Sequence, residues 1–152
     1  MPDPISYTST TPRYALPLLY PGQSQKEAFV NAALALADLL LHPAILGEAT
    51  DPPASPVEGE TWLVAASATG AWVNHDNDLA SFQSGSWAFA SPSDGLQLLD
   101  LSTGQMVRYL NGWQRPTAPA SPAGGTTVDS EARTAIAGMI DALKNAGIFA
   151  SV

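Results

Sequence analysis

Five turn pairs recur along one stretch of this chain: Thr69-Gly70, Ser84-Gly85, Asp94-Gly95, Thr103-Gly104 and Asn111-Gly112. Both residues of an Asn-Gly pair tolerate the positive φ that a tight hairpin needs. Such regular punctuation leaves room only for short strands. The runs between the turns, Thr61–Val64, Ala71–Val73, Leu79–Gln83, Ser86–Ala90, Leu96–Leu101 and Gln105–Leu110, read as an antiparallel meander over residues 43–116. Trp62 with Val64, and Trp87 with Phe89, fall on shared faces and read as core. The apolar phase slips between Leu98 and Leu99, which predicts a bulge.

The flanks are different. Residues 1–22 carry Pro2, Pro4, Pro12, Pro17 and Pro21, and read as an extended arm whose apolar end, Leu16 to Tyr20, docks on something. Residues 23–42 are free of internal Gly and Pro and rich in Ala and Leu, which predicts a helix closed by Pro43. Its polar residues Gln23, Glu27, Asn31, Asp38 and His42 trace one narrow stripe, and the rest of its circumference is apolar. A helix of that kind needs a large core or another chain. A chain of 152 residues holds no large core, so an oligomer interface including Leu34 is expected.

Residues 117–128 have the Pro, Gly, Ala and Ser composition of a linker. Residues 129–152 return to helix, with Asp129 or Ser130 as N-cap and Gly147 as the stop. Ala132, Ile136, Met139, Ile140 and Leu143 form one apolar seam. That seam suits three associating strands, or a helix lying back on its own sheet. The expected fold is therefore α+β: an N-terminal helix, a small antiparallel β domain and an oligomerising C-terminal helix.

Composition narrows the function. Six Lys and Arg stand against fourteen Asp and Glu, a net charge of −8. That acidity argues against nucleic acid, whose binding rests on cations neutralising phosphates, and against an anionic membrane surface. The longest apolar stretch, residues 28–41, contains Asn31 and Asp38 and is too short to span a bilayer. Met1-Pro2-Asp3-Pro4 lacks a basic region followed by an apolar one, so the chain is expected to be made in the cytoplasm without a signal peptide. Charged residues make up 13%, about half the usual ~25%. The surface must then be covered by small polar residues or by other subunits. Cysteine is absent, which removes disulfides, thiolate metal sites and cysteine nucleophiles.

Chemistry-bearing patterns are few. Asn74, Asp76 and Asp78 fit the first ligand positions of a calcium loop, but Leu79 and Gly85 stand where that loop needs glycine and glutamate. No serine elbow, phosphate-binding glycine loop or zinc-protease motif is present. No catalytic residue, cofactor or metal site is expected. Trp72 and Trp113, next to turns, read as the exposed aromatics, and with His75 and Asp76 they make a candidate carbohydrate site. An enzyme reading, a glycan hydrolase or lyase, would need Asp76 or Asp78 for turnover.

One pattern is more specific. Gln23-Ser24-Gln25-Lys26, followed by Asn31, Leu34 and Asp38, resembles a helix signature of a domain-of-unknown-function family. The likeness continues through Pro56, Gly59-Glu60, Trp62, Ala68-Thr69-Gly70-Ala71-Trp72, His75, Leu79-Ala80, and Gly85 with Trp87 and Phe89. The family it resembles occurs in prophages and in alphaproteobacterial gene transfer agents, in particle-surface proteins such as spikes and fibres. The resemblance implies a non-enzymatic structural component of a phage-like particle, a spike, fibre or adaptor. It further implies a homotrimer that meets other particle proteins and contributes to host attachment, with host surface polysaccharide as a partner.

Overall fold

In the computed structural model, residues 9–125 and 129–151 are described; residues 1–8 of the expected arm, 126–128 of the expected linker and the terminal residue 152 lie outside them. Among the described residues, two helices and eight short strands form an α+β architecture. The chain divides into two compact units, Met1–Pro92 and Ser93–Val152.

The first unit holds α1 (Lys26–Leu40), β1 (Ala44–Ile45), β2 (Glu48–Ala49), β3 (Thr61–Val64), a 3-10 turn at Gly70–Trp72, β4 (Leu79–Gln83) and β5 (Ser86–Ala90). Strands β2 to β5 lie side by side in sequence order. The β3–β4 and β4–β5 pairs are antiparallel, with Trp62 opposite Ala80, Ala80 opposite Phe89, and Phe82 opposite Trp87. Period-two alternation therefore collects Trp62, Val64, Ala80, Phe82, Trp87 and Phe89 on one face. Val64, Trp72 and Ala80 are buried at the centre of that face, with Trp62, Trp87 and Phe89 packed around them. The opposite face carries a polar ladder. Thr61 Oγ1 donates to Ser81 Oγ, and Gln83 Nε2 donates to Ser81 Oγ and to the Ala35 carbonyl of α1.

Several expectations need correction here. β2 pairs parallel with β3, so the region is not a pure antiparallel meander. The expected strand at Ala71–Val73 is a 3-10 turn, because Thr69 O accepts the Trp72 N–H and the chain turns inward to seat the indole. α1 begins at Lys26 rather than Gln23, since Ser24 and Gln25 adopt left-handed φ of 60° and 63°. The arm is not simply extended: Leu18 N donates to Ser9 O and Thr11 N to Leu16 O, which folds it back on itself.

In the second unit β6 (Gln97–Asp100), β7 (Gln105–Tyr109) and β8 (Trp113–Gln114) pair antiparallel in sequence order. The Asn111-Gly112 turn has the expected positive φ at both residues, 50° and 127°. No bulge interrupts β6: Leu98 pairs with Val107 and Leu99 with Met106 in unbroken register. The apparent phase slip arises because β6 is apolar on both faces, Leu98 buried and Leu99 half-buried. Helix α2 (Ser130–Asn145) starts where Asp129 accepts the Ala132 N–H at 2.8 Å, as an N-cap should. It stops at Gly147, whose φ of 71° lets Ile148 N reach back to Leu143 O. Gln105, buried in β7, fastens the segment beyond the helix: its Nε2 donates to Pro116 O at 2.6 Å and to Ile148 O at 2.8 Å.

Candidate functional site

The four residues expected to contact carbohydrate do not come together within either unit. Trp113 belongs to the second unit, where it is half-buried and stands edge-on to Tyr109 at 5.2 Å. Trp72, His75 and Asp76 belong to the first. Trp72 is not exposed at all: it is 0% accessible and meets Trp87 edge-on at 5.1 Å and 83°. A ring fully enclosed in the core offers no face to a sugar, and the expectation of an exposed Trp72 is overturned. Trp62 and Trp87, read as core, are half-buried around it.

Asp76 is a loop staple. Its carboxylate accepts the backbone N–H groups of Ala68 and Ser67, both at 3.0 Å, and these bonds hold its pKa below the usual aspartate value. His75 lies flat on Phe89, ring centroids 3.5 Å apart and 4° from parallel. Its Nδ1 sits 2.9 Å from Asp78 Oδ2. A carboxylate–imidazole pair of this kind orients a ring for proton transfer, but a nucleophile must then bond to the other nitrogen. Among the described residues no hydroxyl bonds to His75, and no three of His, Asp and Glu gather to hold a metal ion.

The helices carry the stronger signal. On α1 the polar stripe faces the chain itself. Glu27 Oε1 accepts Gly22 N–H, and Asn31 brackets Leu19 by accepting its N–H and donating to its carbonyl. Asp38, 0% accessible, accepts Thr11 Oγ1 and the backbone N–H groups of Arg13 and Tyr14. The Arg13 guanidinium closes the clasp on the carbonyls of Asp38, Leu39 and His42. With the polar side engaged, Leu39 is buried but much of the remaining apolar surface is left outside. Phe29 is 81% exposed, and Val30, Leu36 and Leu40 are also exposed. Phe29, Ala33, Leu36 and Leu40 recur at intervals of four, three and four, the spacing of a coiled-coil seam. Leu34, expected at an interface, lies half-buried on the stripe side with Asn31 and Asp38, not among these outward residues.

α2 goes further. None of its sixteen residues is buried. Met139 is 59% exposed, while Ile136, Ile140 and Leu143 are half-covered by their own helix and surroundings. No helix among the described residues is long and apolar enough to cross a membrane.

In the sequence, the outward face of α1 shows only as an excess of apolar residues around the wheel. Which of them lie outermost is decided by the arm, and the arm's grip has one local signal. A polar stripe of Glu27, Asn31 and Asp38 on an otherwise apolar helix asks where its hydrogen bonds go. The partners, Thr11, Arg13, Tyr14 and Leu19, carry no pattern of their own.

The architecture is that of a small α+β protein with, among the described residues, two helices and two compact units. Residues 30–115 match the family described as a protein of unknown function, DUF2793, and the chain belongs to it. No curated protein and no solved structure matches the chain.

Proposed function

We propose that this chain is a non-enzymatic structural subunit of a phage-like particle, a spike, fibre or adaptor, which assembles as a homotrimer and contributes to attachment at the host surface. The observation that carries the assembly is α2: sixteen residues, none buried, with Ile136, Met139, Ile140 and Leu143 along one side. A helix of that length is marginal in water when nothing packs on it. Sister copies of the same seam are the economical partner. The outward residues of α1 add a second apolar surface on the same chain. The particle setting is supported by the sequence resemblance described above, and low surface charge suits a subunit packed among other particle proteins.

Light scattering on the purified chain at several concentrations tests this. A stable mass three times that of the 15.8 kDa chain is the expected result. A monomer at all concentrations overturns the assembly reading.

A further inference from the structure

Half of the chain's six Lys and Arg residues line two adjoining cavities of the second unit. One cavity, about 280 Å³, is walled by Met106, Arg108, Gln114, Arg115 and Pro116. The next, about 380 Å³, shares Arg115 and Pro116 and adds Lys144 from the end of α2. In a chain of net charge −8 this concentration of cations needs a reason.

The middle cation is fixed. Arg115 pairs with Asp100, which is 2% accessible and is itself held by the Ser102 hydroxyl and N–H. The Pro116 carbonyl beside it is pinned by Gln105 Nε2 at 2.6 Å. The Arg115–Pro116 strip between the cavities is thus anchored from two sides. The outer cations are not spent: among the described residues neither the Arg108 nor the Lys144 side chain has a hydrogen-bond or ion-pair partner. Arg115 is already engaged, so Arg108 and Lys144 are the cations that remain for a ligand.

We infer that this face binds a carboxylate-bearing saccharide, with Arg108 taking one acid group and Lys144 a second on the neighbouring ring, across the anchored Arg115–Pro116 strip. A guanidinium presents a planar fork that fits a carboxylate. Met106 and Pro116 offer apolar surface for a sugar ring, and the Gln114 amide offers a partner for hydroxyls. The two volumes, each near the lower end of the usual range for small-ligand sites, suit two linked rings better than one bulky group. A dense polyanion such as nucleic acid would be repelled by the surplus of acids elsewhere on the chain, whereas one carboxylate per sugar is sparse enough to approach.

This inference deepens the attachment half of the function proposed above and does not depend on the trimer. The test is calorimetric titration of the full chain with oligogalacturonate, oligoglucuronate and oligosialate, beside a neutral maltooligosaccharide and inorganic phosphate. At least one acidic oligomer is expected to bind and to weaken as NaCl rises, with the neutral oligomer and phosphate silent. Arg108→Gln and Lys144→Gln, whose side chains have no partner among the described residues, are each expected to weaken binding tenfold or more. Heat from the neutral oligomer, equal heat from phosphate, indifference to both substitutions, or no heat from any acidic oligomer overturns the site. A retained trimer mass alongside any of those results leaves the assembly reading standing, and a monomer that binds oligouronate leaves this one.

Discussion

Thr11 and Asp38 share a 2.6 Å hydrogen bond, Oγ1 to Oδ1, at the place where the folded-back arm and α1 both leave solvent. The same carboxylate takes the N–H groups of Arg13 and Tyr14. One side chain therefore fixes three positions of the arm. Asp38→Ala removes the acceptor and strands those donors, and each buried donor left unsatisfied costs about 1–3 kcal/mol. The expected outcome is a loss of about 3 kcal/mol or more in urea unfolding, with early proteolysis within residues 9–20. A variant as stable and as resistant as the parent would show the clasp to be ornamental.

Asp100 sets a pH dependence. Burial alone raises its carboxyl, but bonds from Ser102 and the Arg115 guanidinium outweigh that and leave it below the ordinary aspartate value. A depressed folded pKa stabilises the fold above the unfolded value of about 3.9, and that contribution is lost as pH falls through the folded value. Urea midpoints between about pH 2 and 6 should fall from about pH 4 downward, and Asp100→Asn should flatten that slope.

Ile140→Asp places a charge on the α2 seam. Buried in a trimer without a partner, it is expected to dissociate the assembly, read as a fall in solution mass. Because no residue of α2 is fully buried within one chain, the far-ultraviolet signature of the β units should survive. An unchanged mass removes this seam from the interface.

Trp72→Ala should cost about 3–5 kcal/mol, the range for emptying a large aromatic from a core. That loss follows from its full burial beside Val64, Ala80 and Trp87. A near-neutral effect in thermal or urea melts would contradict the packing described.

Much of the fold is legible in the sequence because turn chemistry and capping are local. Asn111-Gly112, the Asp129 cap and the Gly147 stop depend on residues within a few positions, and all three stand where their spacing puts them. Trp72 misleads for the converse reason. Its position next to a turn suggests exposure, but its burial is decided by Trp87, fifteen residues away, and by a loop that tucks inward. The cation-lined cavities are invisible for the same cause: Arg108, Arg115 and Lys144 are scattered in sequence and meet only through strand pairing and the return of α2. His75 stands out as part of an acidic turn, yet its flat contact with Phe89 rests on β5 and leaves no trace in the local pattern.

The polar stripe of α1 has a mechanical consequence. Rolling the helix about its axis would draw Phe29, Leu36 and Leu40, now exposed, out of solvent. Such a roll must tear Asn31 from both backbone groups of Leu19 and Asp38 from its three donors. Those bonds act as a rotational stop. They hold the chain in the orientation in which it cannot satisfy itself, so that its readiness to join others survives its own folding.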